Sequence, residues 1–273
     1  MTSLALTTHA PPARRPFFPL VRADLLKLRK NRGIVFIAAA LTIGTMVVAF
    51  PVLEVMHAVN PARHGPAGGI NNLADSASAL AMLGSVAAVL IGAAAGAGDL
   101  ASGVFRELVV TGRSRLALFA ARIPGGLGLV VPLVAVAVGI EATATVGLAG
   151  SLAVPSIGLL AKTGLWVLLE IAFYFVVALG LASVLGSRAQ TIAILLAWRL
   201  AVTPILLSIS VLGGGRDVLP QAAFEQLAPG GIAGSVRQAG AVSMSTETAV
   251  VVLLAWVAVA LVLGAWRTAT RDV

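Results

Sequence analysis

Three ionisable residues stand inside long apolar runs of the chain, and they are the first candidates for chemistry: Glu141, Glu170 and Arg199. A charge in hydrocarbon is costly, so such residues are rare and tend to mark ion paths, gates or fixed pairs. Glu170 falls about midway along one apolar stretch, and Arg199 falls about eight residues into the next. At 1.5 Å per residue both reach the middle of a bilayer, where they could pair. Glu141 lies nearer the end of its stretch. The three form either a polar lining of a path across the membrane or, for Glu170 and Arg199, a structural pair that fixes two helices against each other.

Soluble chemistry has little material to work with. The three histidines, His9, His57 and His64, all lie outside the apolar runs, and there are no cysteines. That excludes a haem or His–metal centre built on spanning helices, and thiol chemistry. Glu54, His57 and His64 share a Pro/Gly-rich loop, which is poor support for a metal site. No G-x-x-x-x-G-K-[ST] run is present, so the chain is not expected to bind or hydrolyse ATP by that route. It is not expected to be an enzyme by itself.

The elements that must position these residues follow from composition. The chain has 273 residues, of which 59% are hydrophobic and only 11% charged, where a soluble domain carries about 25% charged residues. The mean hydropathy is +1.00. Six apolar stretches reach spanning length, at about Ile34–Leu53, Ser78–Gly98, Leu116–Leu148, Leu159–Leu185, Thr191–Leu212 and Thr248–Trp266. None alternates with period two, which argues against a β-barrel. The expected fold is all-α: a six-helix membrane domain over 33–267, preceded by an amphipathic interfacial helix over 20–32 and a disordered tail over 1–19, and followed by a short tail over 268–273.

The net charge is +8. Read through the positive-inside bias, it points to membrane orientation rather than to nucleic acid. With the N-terminus inside, fourteen of the 19 Lys and Arg lie on the cytoplasmic side and four on the other, with Arg199 within a span. Both termini are then cytoplasmic, in the plasma or inner membrane. The interfacial helix places Val21, Leu25 and Leu28 on one face, while Arg22, Lys27, Arg29 and Lys30 reach lipid headgroups. Gly92 and Gly96 form a G-x-x-x-G pair that permits close approach of another helix, more naturally within the chain than across a dimer.

The connection between the second and third spans, DLASGVFRELVVTGRSR over Asp99–Arg115, is the most specific stretch. Val104, Phe105, Leu108 and Val109 form an apolar face on a short helix, and Thr111-Gly112 ends it. The simplest alternative use is a helix resting on lipid. With the basic N-terminal helix and six spans, this segment resembles the permease subunit of type-2 ATP-binding-cassette (ABC) transporters. The resemblance rests on Asp99, Gly103, Phe105, Arg106, Leu108, Thr111, Gly112, Ser114 and Arg115. It implies that the segment, Glu107 included, is a coupling helix docking on a separate ATPase. It further implies two ATPase subunits that carry the ATP and Mg, and a dimer with itself or with a similar permease, made through the first and fifth spans. Export is the implied direction. The run LPQAAFEQLAPGGIAG is similar to the short re-entrant helices of the outer side in that family. Two other readings stay open: a membrane scaffold or immunity protein, and an ion-gradient transporter with Glu170 or Glu141 as proton carrier.

Overall fold

The computed structural model describes residues 17–101, 103–110, 112–236 and 244–271. These residues fold into helices and connecting turns, with no strand among them. Helix α1 spans Phe18–Lys30. The first long helix, α2, runs Arg32–Val59, and α3 runs Gly69–Ala101. A short α4, Val104–Val110, leads to α5, Arg115–Gly147. Then come α6, Ile157–Leu185, and α7, Arg188–Ser208. After a 3₁₀ segment at Ser210–Val218, the short α8 (Pro220–Leu227) and α9 (Ala233–Val236) precede α10, Thr246–Thr270. Six of these, α2, α3, α5, α6, α7 and α10, are long and apolar enough to cross a membrane. The expected six spans are therefore present, with ends shifted by a few residues; α3 begins nine residues earlier than hydropathy alone placed it.

Local signals explain the boundaries. Serines open four of the spans: the hydroxyls of Ser114, Ser156, Ser187 and Ser245 accept from Ala117, Leu159, Gln190 and Thr248 N–H at 3.1–3.4 Å. Each satisfies one of the amides that a helix start leaves unbonded. At the other end of α6, Gly186 adopts φ +71° and returns its N–H to Ala182 O, the left-handed ending that glycine adopts without strain.

The core is the α3–α6 pair. Much of both helices is buried, whereas α2, α7 and α10 leave most of their surface exposed. Small residues permit the contact. A Cβ added at Gly92 would lie 2.5 Å from Phe175 O, and one at Gly96 would lie 2.5 Å from Leu179 O. The two backbones touch where these glycines face α6, so the G-x-x-x-G pair serves packing inside the chain. Around this pair α5 and α10 lie against α6, and α7 lies against α3. Helix α1 lies on α5 at Gly125, where a Cβ would meet Asp24 Cβ at 2.9 Å and Val21 O at 3.2 Å. Leu28 of α1 is buried and Val21 and Leu25 are half-buried, as their spacing requires, while Arg22, Arg29 and Lys30 are exposed.

Two spans depart from α geometry. Helix α2 passes through a π turn at Ala40–Gly44, and α7 through one at Trp198–Val202. Such wide turns recur at functional positions. The first brings Thr42 toward α3 at Gly84, and the second carries Arg199.

Candidate functional site

Glu170 and Arg199 come together as their depths suggested. Arg199 Nη2 donates to Glu170 Oε1 at 2.5 Å, and the carboxyl is 1% exposed. The guanidinium also lies over the Tyr174 ring, 5.0 Å from its centroid, and its Nε approaches Ser85 Oγ at 3.4 Å. Cation–π attraction and a bond to the hydroxyl help to hold the charge away from water. The π turn sets this geometry. Thr203 N–H donates to Trp198 O, five residues back rather than four, which shifts the faces of α7 around the turn relative to a continuous α-helix.

The pair borders a cavity of about 270 Å³ between α3, α6, α7, α8 and α9. Ser78 and Met82 reach it from α3, Trp166 and Glu170 from α6, Arg199 and Thr203 from α7, and Gln221 from α8. Two polar atoms of residues that border it, Thr203 Oγ1 and Gln221 Oε1, are buried and have no hydrogen-bond partner among the described residues. Neither residue stood out in the sequence, although Thr203 follows Arg199 by four and so tends to share its face. Helix α8 is held at the cavity edge by Trp166 Nε1, which donates to Phe224 O at 2.9 Å.

Glu141 does not join this cluster. It is buried on α5, and Ser76 of α3 donates to its Oε1 at 2.7 Å. The two intramembrane carboxylates thus sit in different environments, one beside a guanidinium and one beside a hydroxyl.

A second ionic cluster lies near the end of the bundle occupied by α1. Asp99 Oδ1 takes Lys27 Nζ at 2.8 Å and Asp99 Oδ2 takes Arg122 Nη2 at 3.1 Å. Lys27 also bonds Asp24 at 3.0 Å, and Arg122 Nη1 donates to Gly96 O at 3.1 Å. The cluster ties α1, α3 and α5 together. Burial beside α5 outweighs the attraction of Lys27 and raises the Asp24 carboxyl above the usual aspartate range. Lys27 therefore turns inward, although its spacing suggested a headgroup contact. Arg122 is buried within α5 at 1% exposure.

The connecting segment divides in the same way. Asp99 and Arg115 bond within the bundle: Arg115 Nη1 donates to Ala269 O at 3.0 Å and Arg271 O at 2.6 Å, at the end of α10. Such a cation satisfies carbonyls that a helix end leaves bare. Ser114 caps α5. Gly103 and Gly112 bracket α4 with φ of +72° and +79°, in open space, so backbone conformation and not crowding calls for glycine at both. Glu107 and Val110 are exposed on α4, and Leu108 is half-buried. Thr111 and the side chains of Phe105 and Arg106 lie outside the described residues.

Among the described residues no group of three His, Cys, Asp or Glu is placed to hold a metal ion. His57 Nδ1 instead lies 2.6 Å from His64 O. Neither a family model nor a curated protein matches the chain.

Proposed function

We propose that the chain is the membrane-spanning permease subunit of an ABC transporter, working as an exporter. It would act as a dimer, with itself or a similar permease, driven by two separate ATPase subunits that bind ATP and Mg. The observation that carries this reading is the placement of α4. It is a short helix set off by two left-handed glycines, with exposed side chains, between the longest spans of the bundle. A partner gripping α4 would move α3 and α5 together.

The reading puts α4 and both termini in the cytoplasm, by the charge bias of the sequence. It makes α1 a helix lying at the membrane interface, with Arg22, Arg29 and Lys30 toward anionic headgroups. Asp99 and Arg115 then work through the bundle, linking α4 to α1 and α10, while Glu107, with Phe105 and Arg106, belongs to the docking surface. Closure of the ATPase pair on ATP would tilt α3 and α5 and change the path beside Glu170 and Arg199.

The test is co-purification of the full-length protein with an ATPase from its own membranes. ATP hydrolysis should accompany it and be lost when Phe105, Arg106 and Glu107 are changed together to alanine, with the bundle intact. Recovery of the same ATPase with the triple variant would overturn the docking role. A second reading, an ion-gradient transporter, draws on Glu141, a buried carboxyl whose one described hydrogen bond is from Ser76. It requires transport that collapses with the proton gradient and with Glu141→Gln.

A further inference from the structure

The seam between α6 and α10 changes character along its length. Toward the ends of the two helices the contact is made through glycine. A Cβ added at Gly180 would run into Ala260 O, and one added at Gly264 would lie 3.0 Å from Gly180 Cα. Toward their starts α8 packs against both helices, and the seam opens into a groove of about 670 Å³. Val176 and Val257 line it at the closed end, one turn short of the glycine contact, and Lys162 lines it at the other.

The floor is apolar and complete. Trp166, Phe173 and Phe224 are 2–6% exposed. Trp166 Nε1 is already engaged with Phe224 O, and the rings of Phe173 and Phe224 meet edge to face with centroids 5.4 Å apart. No side chain of the lining has a buried polar atom left bare among the described residues. The rim residues Leu165, Leu169 and Leu254 are 56–62% exposed, so the groove opens sideways, on helices that are long and apolar enough to cross a membrane.

These walls select their occupant. Water finds no hydrogen bonds along them, and neither does a polar solute. A hydrocarbon chain entering from the bilayer meets only surface like itself. The length also fits. From Val176 to Lys162 is fourteen residues of α6, about 21 Å, whereas one leaflet of hydrocarbon is about 15 Å deep. A chain whose tip lies at the closed end therefore brings its headgroup to Lys162. That residue is the one ionisable side chain lining the groove; it is exposed and makes no hydrogen bond or ion pair among the described residues. Its stem can follow the apolar wall while its ammonium stands at the interface, where it favours a headgroup of net negative charge.

We propose that the groove between α6, α8 and α10 is a binding site for an anionic phospholipid, with one acyl chain against Trp166, Phe173 and Phe224 and the headgroup phosphate on Lys162. The apolar end and the cationic end fix the direction of the lipid as well as its class. The site needs a membrane but no ATPase, so this proposal and the permease reading can fail separately.

The experiment uses the full chain in non-ionic detergent with equal amounts of dioleoyl phosphatidylglycerol and dioleoyl phosphatidylcholine, and counts the retained lipids by native mass spectrometry. The wild type should retain phosphatidylglycerol at least tenfold over phosphatidylcholine, and should hold one molecule per chain more than Lys162→Gln. Lys162→Arg should keep that molecule. Ala172 is half-buried in the wall; Ala172→Phe fills the groove without touching the charge and should lose the lipid. Dihexanoyl phosphatidylglycerol, with the same headgroup on short chains, should bind at least tenfold more weakly, since it buries less apolar surface. Lys162 is exposed, so the unfolding midpoint of lipid-free Lys162→Gln should match that of the wild type, which separates loss of the site from loss of the fold. Equal counts of phosphatidylglycerol on the wild type and Lys162→Gln overturn the proposal, as does equal retention of the two dioleoyl lipids. So does a dimer that Ala172→Phe dissociates with no change in lipid count, a result that would assign the groove to a second copy of the chain.

Discussion

The two ionic clusters are built from the same kinds of side chain and differ in what surrounds them. Lys27, Asp24, Asp99 and Arg122 knit three helices where α1 lies on the glycines of α5, and carboxylate oxygens take up the cations directly. Glu170 and Arg199 join α6 to α7, with Ser85 of α3 beside the guanidinium, and border a cavity of about 270 Å³. The difference teaches that an ion pair in a membrane bundle is not one thing. In the first case it fastens helices; in the second it lines a space that something else can enter.

The largest expected effect comes from stranding Glu170. Arg199→Leu removes the cation beside that buried carboxylate, a change that costs about 3–5 kcal/mol when a buried charge is orphaned. Reduced accumulation in the membrane and a lower unfolding midpoint would report it, and a neutral outcome would erase the contrast between the clusters. Next comes Arg122→Leu. It takes one of two cations from Asp99 but leaves Lys27 on the carboxylate, so its cost should be less than that of Arg199→Leu. Adding Glu170→Leu to Arg199→Leu should recover part of the loss. Equal accumulation of the single and double variants would show that the pair does not act as a unit.

Smaller still is Ser76→Ala, which takes the hydroxyl from Glu141. About 0.5–2 kcal/mol is the usual range for a hydrogen bond between spanning helices, readable in the same unfolding assay. The smallest effect concerns pH at Asp24. Its carboxyl is raised by burial, so the folded protein holds that proton more tightly than the unfolded chain. The stability it contributes is present at low pH and declines as pH rises from about 4, the ordinary aspartate value, through the raised folded value. Asp24→Asn should flatten that part of the profile; a profile unchanged by the substitution would mean that Asp24 does not set it.

Much of this was legible in the sequence, for reasons specific to each residue. The spans stand out because hydrocarbon tolerates few charges, and the meeting of Glu170 with Arg199 follows from depth alone, since adjacent antiparallel spans put their midpoints side by side. Gly92 and Gly96 announce close packing by their spacing. The second cluster was hidden because its members are far apart in sequence, and because a uniformly apolar helix such as α5 gives no sign of which way Arg122 turns. Lys27 has the spacing of a headgroup contact and finds Asp99 instead. The π turn at Trp198–Val202 leaves no mark in composition, so the turn that carries Arg199 could be found only in three dimensions.

The backbone contact at Gly92 and Gly96 carries a mechanical consequence. With nothing larger than alanine methyls beside the two glycines, there is little between α3 and α6 to shear or compress, and the pair is expected to move as one beam that carries Glu170 with it. Whatever flexing the protein does must then fall to its weaker members: α5, interrupted by Pro124 and Pro132, and the wide turns of α2 and α7.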